Sequence, residues 1–193
     1  SSIGAIWTSC SPDFGVQGVL DRFGQVKPKI LFTADGYYYN GKEIGSLEKI
    51  SQVLAELPGV QMTVVFPLLS DHPDISGLPS GTHWRHFIAA HEAEDIDFAQ
   101  LPFDHPLYIL YSSGTTGTPK CIVHGAGGTL LQHLKEQRLH CDIKAGDRAF
   151  YFTTCGWMMW NWLVSFLASD VTVILFDGSP TYPGPQVLFD YAD

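Results

Sequence analysis

Leu47, Ile50, Val53, Leu54 and Leu57 recur at spacings of three and four, which predicts an amphipathic helix opening after Ser46 and ending at Pro58-Gly59. Apolar runs flank it at Lys29 to Ala34 and at Gln61 to Phe66, and both predict strands. Upstream, Ser11-Pro12-Asp13 has the makings of a helix start: a capping hydroxyl, a proline for the first turn and an acid at the positive helix end. Phe14, Val16, Val19, Leu20 and Phe23 carry that helix to about Phe23, where Gly24 and Pro28 close it. Asp35-Gly36 reads as a turn, and Tyr37 to Lys42 as an aromatic patch before a turn, a short strand or a ligand-facing surface, with plain packing favoured over a ligand role. Helix, strand, helix, strand in that order predicts an α/β fold of mostly parallel sheets with flanking helices.

Asp71 to Gly81 is rich in proline and glycine and predicts a loop, and Glu92, Glu94, Asp95 and Asp97 form a solvated acidic stretch. His83, His86 and His91 lack the partners of a metal site and are expected as surface or half-buried histidines, so no metal ligand is assigned. Pro106 to Tyr111 is a buried strand, and Cys121 to His124 a short strand-like return. Gly125-Ala126-Gly127-Gly128 predicts a glycine-rich turn before a helix over Thr129 to His140. The two later glycines serve either a phosphate at the helix N-terminus or tight packing. Asp147 to Thr154 and Val171 to Phe176 predict strands, with a buried helix over Gly156 to Leu167 between them.

Composition narrows the function. Hydrophobic residues make up 45% and charged residues 16%, enough apolar material for a core and too little charge for disorder. Eleven basic against 20 acidic residues give a net charge of -9, which argues against nucleic acid or an anionic membrane as a general partner. No apolar run is long enough for a membrane-spanning helix. Cys10, Cys121, Cys141 and Cys155 lie far apart without a C-x-x-C pair, as expected of reduced thiols in a cytosolic compartment. The chain opens on Ser1 and is already apolar by Gly4 to Trp7, so it is expected to be a piece of something longer.

The candidate chemistry sits where the Pro106 to Tyr111 strand stops. Ser112-Ser113-Gly114-Thr115-Thr116-Gly117-Thr118-Pro119-Lys120 supplies small residues, hydroxyls and a cation, the means of bringing donors and positive charge close to a phosphate. The Walker spacing G-x-x-x-x-G-K-[ST] does not fit, because Pro119 stands at the sixth position from Gly114 and Cys121 follows the lysine. A second cluster, Trp157-Met158-Met159-Trp160-Asn161-Trp162, has the apolar bulk to shape a pocket for a small acyl group, although core packing uses the same residues.

Every position from Ser112 to Lys120 matches the form [ST]-[ST]-G-[ST]-T-G-x-P-K, and the chain thereby resembles the adenylate-forming superfamily of acyl-CoA synthetases, luciferases and adenylation domains. Val123 to Gly128, Thr153 to Asn161, Phe176 to Pro180 and Ile3 to Gly15 look like its acetoacetate-activating branch, so the likeness spans the chain. The resemblance implies part of the AMP-binding N-terminal domain (residues 1–193), with the C-terminal domain and its catalytic lysine absent. It implies acetoacetate, ATP and CoA as substrates with Mg2+ assisting, and an acyl-adenylate intermediate. Ser112, Ser113, Gly114, Thr115, Thr116, Gly117, Thr118 and Lys120 would then bind ATP phosphates, Lys120 acting catalytically, while Trp157, Met158 and Met159 line the acyl pocket. An acetyl- or propionyl-activating relative and a truncated non-catalytic one stand as alternatives. Two positions depart from the wider pattern: Cys121 stands where glycine is frequent, and Ser169-Asp170 where a small residue and glycine are usual, so a disturbed turn is expected there.

Overall fold

The computed structural model describes residues 1–112 and 117–192. In chain order its elements are β1 (Trp7–Thr8), α1 (Val16–Val26), β2 (Ile30–Ala34), β3 (Gly36–Tyr39), β4 (Lys42–Gly45), α2 (Leu47–Glu56) and β5 (Met62–Phe66). Then come β6 (Gly81–His83), α3 (Trp84–Ala89), β7 (Pro106–Tyr111), β8 (Cys121–Gly125) and α4 (Ala126–Lys135). β9 (Arg148–Phe150), α5 (Met158–Val164), β10 (Thr172–Ile174) and α6 (Val187–Ala192) complete the order. They divide into two compact units: residues 1–11 with 95–176, and residues 12–94 with 177–193.

In the second of these units β2, β5 and β6 form a parallel sheet with β5 in the centre. Thr63, Val64 and Val65 of β5 are completely buried, as expected of a central parallel strand covered on both faces. α2 contributes Ile50, Val53 and Leu54 to this core, each worth about 1.5–3 kcal/mol of burial. The aromatic patch is a strand: β3 and β4 pair antiparallel through Asn40-Gly41, whose φ values of 51° and 75° are those of a tight primed hairpin turn. α1 begins at Val16 rather than near Ser11, and runs three residues past Phe23 because a glycine at 24 costs only about 1 kcal/mol. Lys27, in the left-handed conformation, and Pro28 stop it.

Asp35 is more than a turn residue. It is 6% exposed, and its carboxylate accepts the N–H groups of Leu68 (2.8 Å), Leu69 (3.0 Å) and Ser70 (2.8 Å), holding the stretch after β5 against the end of β2. His83 and His86 meet edge to face at 5.6 Å, and His91 packs against Phe87 at 6.4 Å.

The other unit carries the candidate site. β7 is its central strand, parallel to β1 on one side and antiparallel to β8 on the other. β9 and β10 form a separate parallel pair. Ala149, Leu163, Phe166 and Val171 make a core against which Trp162 packs. The strands are shorter than the apolar runs suggest, since Tyr151 to Thr154 leave the ladder, and α5 gives way to a 3-10 turn at Ser165–Ser169. The chain is thus mixed α/β with mostly parallel pairings.

Candidate functional site

The phosphate-loop segment is the connection of a β-hairpin. The β7–β8 ladder runs from Pro106↔Gly125 to Tyr111↔Cys121, and one further pair closes the loop's mouth. The Ser112 N–H donates to the Lys120 carbonyl at 2.9 Å, and the Lys120 N–H donates to the Ser112 hydroxyl oxygen at 3.0 Å. Ser112 therefore directs its amide at the loop's own closure and keeps only its hydroxyl proton for a ligand. Ser113, Gly114, Thr115 and Thr116 lie outside the described residues. Gly117 has φ 108°, a conformation only glycine adopts without strain, and Thr118 and Lys120 are exposed.

Because β1 and β7 are parallel, the residues that follow each leave the sheet at the same end, the end where open α/β sheets bind ligands. After β1 the chain runs through Ser9, whose hydroxyl donates to the carbonyl of Cys155. The next residue after Cys155, Gly156, lies flat on the backbone of Cys10 and Ser11: a Cβ there would be 2.6 Å from the Ser11 nitrogen. That contact also explains why Ser11, 7% exposed and packed under Gly156, does not cap a helix, and α1 takes Gly15 as its N-cap. Trp157 then caps α5 in extended conformation, its ring 62% exposed.

Met158 lines an open cleft of about 520 Å³ together with Phe103, Val123, His124, Thr129 and Trp162, whereas Trp157 and Met159 are not among its lining residues. The cleft lies by the Pro106↔Gly125 end of the hairpin, about 17 Å along the ladder from the loop's mouth. The glycine-rich stretch is also at this end and is the first turn of α4 rather than a turn before it. Ala126 and Gly127 donate their N–H groups to the carbonyls of His105 (2.9 Å) and Phe103 (2.8 Å), and a Cβ on Gly127 would enter the Phe103 ring. Close packing against Phe103 is reason enough for a glycine at 127.

Behind the cleft a polar network fixes a histidine. The Ser165 hydroxyl donates to the Trp162 carbonyl at 2.6 Å and accepts from Gln137 Nε2 at 2.7 Å. Its single proton being used, it accepts from His133 Nδ1 at 3.0 Å, which leaves His133 Nε2 as an unprotonated acceptor. Burial pushes His133 below the usual histidine range; Glu136 opposes this, and His124 adds to it. Glu136 accepts from Gln132 Nε2 (2.6 Å) and from the Trp162 indole N–H (3.1 Å). Tyr108 and His124 stack at 5.0 Å, and burial raises the phenol and lowers the imidazole. Sequence reasoning missed Ser9, Gly156 and this network, because single hydroxyls and amides in apolar surroundings carry no periodic signal.

Among the described residues no group of three His, Cys, Asp or Glu side chains is placed to hold a metal ion, and no helix is long and apolar enough to cross a membrane.

Comparison with known proteins places these features in context. The family model described as AMP-binding enzyme matches residues 1–193. Acetoacetyl-coenzyme A synthetase of Rhizobium meliloti (strain 1021) is 57% identical over 196 residues, covering 100% of this chain and 29% of the relative. Acetoacetyl-CoA synthetase of Gallus gallus is 52% identical over 198 residues, covering 100% of this chain and 30% of the relative. The solved acetoacetyl-CoA synthetase from Streptomyces lividans superposes with a TM-score of 0.90 at 47% identity, over 99% of this chain and 29% of that one. The chain therefore spans about three-tenths of the length of the relatives it matches.

Proposed function

The chain belongs to the AMP-binding enzyme family, and from that premise we propose that it forms the phosphate-loop and acyl-turn part of the N-terminal domain of an AMP-forming acid–thiol ligase acting on acetoacetate. What carries the reading is that likeness to acetoacetyl-CoA synthetases extends over the whole chain, through the loop, the Gly156 turn and the segment after β1 alike.

In the proposed reaction an acetoacetate carboxylate oxygen attacks the α-phosphorus of ATP, and the bond to the bridging oxygen breaks with its electron pair leaving on pyrophosphate. The physical demand is compensation of the charge gathering on that leaving group. Donors from Ser113 to Thr118 and the ammonium of Lys120 are proposed to meet it, with the Ser112–Lys120 closure holding the loop's two ends together. The CoA thiol sulfur then attacks the acyl carbon, AMP departs with the bonding pair, and the thiol proton passes to solvent. Trp157, at the cap of α5, and Met158 and Met159 after it are proposed to bound the acyl group. The described residues do not gather a ligand set for Mg2+. We place the enzyme in the cytosol, with small-molecule substrates and no nucleic-acid partner.

AMP release by the full-length enzyme, measured with acetoacetate against acetate, tests the substrate: a preference for acetate would overturn the assignment. Lys120→Ala is expected to slow adenylation while leaving thioester formation from supplied acetoacetyl-adenylate near normal, and equal losses in both half-reactions would refute the role given to Lys120. An intact mass of the endogenous protein several-fold above 21.3 kDa is expected.

A further inference from the structure

The segment after β1 touches both halves of the candidate site. Thr8 Oγ1 donates to the Ile109 carbonyl at 2.9 Å and lies 2.7 Å from the Tyr111 hydroxyl. Its only proton is directed at the carbonyl, so the Tyr111 phenol donates to Thr8 Oγ1. Tyr111 is the last residue of β7 and directly precedes Ser112, which closes the loop with Lys120. One residue further on, the Ser9 hydroxyl, on a residue 8% exposed, donates to the Cys155 carbonyl, and Gly156 sits on the Cys10–Ser11 backbone immediately before Trp157. Two adjacent hydroxyls therefore reach in two directions, one to the mouth of the phosphate loop and one to the turn that presents the acyl-side indole.

We infer that Thr8 and Ser9 are positioning residues for adenylation, a strut that sets the separation between the phosphate loop and the acyl turn. Resting on the adenylate-forming reading above, the inference explains why this stretch is built of small hydroxyl residues. In-line attack demands that carboxylate oxygen and phosphorus meet within about 3–3.5 Å, and small displacements of either partner lower the rate steeply. A backbone ladder alone does not supply that precision at its ends: β1 contributes only Trp7↔Tyr108 and Thr8↔Ile109 to the register. The side-chain bonds extend the restraint past the β1–β7 register, by one residue at Ser9 and by two at Tyr111, to the places where the turn and the loop begin. Neither hydroxyl is given any contact with substrate.

The test uses the full-length enzyme and acid-dependent ATP–pyrophosphate exchange, reading KM for each substrate. Thr8→Val keeps the shape and removes the hydroxyl; with the loop's mouth no longer tethered it is expected to raise KM for ATP about tenfold, with KM for the acid within about twofold. Ser9→Ala is expected to do the reverse. Thr8→Ser restores the ATP value, and Tyr111→Phe, a volume-conserving change of the donor alone, raises it a few-fold should Thr8→Val fold poorly. Thioester formation from supplied acyl-adenylate stays near normal in all four. Unchanged KM values with only a lowered Tm, or both KM values rising together in each variant, would overturn the inference in favour of a purely structural role. Should the unmodified enzyme prefer another acid, exchange with that acid reads the same two constants, so the substrate assignment fails separately from the strut.

Discussion

Substituting Gly156 by alanine tests the packing that carries Trp157. The added Cβ would stand 2.6 Å from the Ser11 nitrogen, 3.1 Å from the Cys10 carbonyl carbon and 3.2 Å from the Ser11 Cα. All three are backbone atoms, so no side-chain rotation relieves the contact. The shortest is about 0.8 Å inside an ordinary 3.4 Å approach. One side of the contact is tethered by the β1–β7 pairing, the other by the bond from Ser9 to the Cys155 carbonyl, so the two backbones separate only by breaking one of these. Overpacking of this kind costs about 1–3 kcal/mol. At roughly 2–4 °C per kcal/mol for a domain of this size, Tm should fall by about 2–12 °C. Gly128→Ala is the internal control: its Cβ meets nothing within 4 Å in the first turn of α4, and the exchange should be neutral or stabilising by up to about 1 kcal/mol. Thermal unfolding of the three proteins by circular dichroism, with acid KM alongside, reads the outcome. A Gly156→Ala protein within about 1 °C of the parent, with unchanged acid KM, would refute the argument.

Three further outcomes follow from conformation and charge. Asp170 ends the 3-10 turn at φ 56°, in the left-handed region that glycine adopts without strain; Asp170→Gly should raise stability by about 0.5–1 kcal/mol in chemical denaturation. For Asp35, burial raises the carboxyl pKa, but the N–H groups of Leu69, Leu68 and Ser70 outweigh it and the net shift is down. Its stabilisation is complete above the unfolded value of about 3.9 and is lost as pH falls through the lower folded one, so Asp35→Asn should cost about 2–3 kcal/mol at pH 7 and flatten that acid limb. His133, lowered chiefly by burial, likewise contributes stability that is complete above the unfolded value of about 6.5 and is lost as pH falls through the folded one; His133→Gln should reduce the slope of Tm against pH just below neutrality, and an unaltered slope would refute the downward shift of this imidazole.

Legibility in the sequence followed the strength of the local pattern. α2 and β5 were readable because Ile50, Val53 and Leu54 share a helical face and because Thr63, Val64 and Val65 form an unbroken run buried on both sides. β7 was equally plain, its apolar run ending where the hydroxyl residues begin. The start of α1 was misread because Ser11 has the chemistry of a cap but its backbone lies under Gly156, nearly 150 residues away in sequence, and local propensity holds no record of that contact. The glycines at 127 and 128 suggested a turn, whereas Gly127 is a helical residue made small by the Phe103 ring. Asp35 followed by glycine reads as a turn for the same reason: the three N–H groups that its carboxylate holds come from residues 68 to 70.

The hairpin placement of the loop gives the site a logic that the motif alone does not. A loop between parallel strands needs a crossover, and its two ends are then fixed by different elements. Here β8 returns beside β7, so seven residues, 113 to 119, are spanned by ends already paired through Ser112 and Lys120. The entropic cost of closing the loop is met by the ladder, and ligand binding does not have to meet it again. Lys120 gains most from this, since a long flexible side chain is useful at a phosphate only if its root is fixed, and its backbone is held by both Ser112 bonds. The same ladder transmits position from the strut: Thr8 acts on Tyr111, and Tyr111 is the last paired residue before the loop's closure. Loop and acyl turn are thus referenced to a single strand end, an arrangement suited to bringing a carboxylate and a phosphate into line.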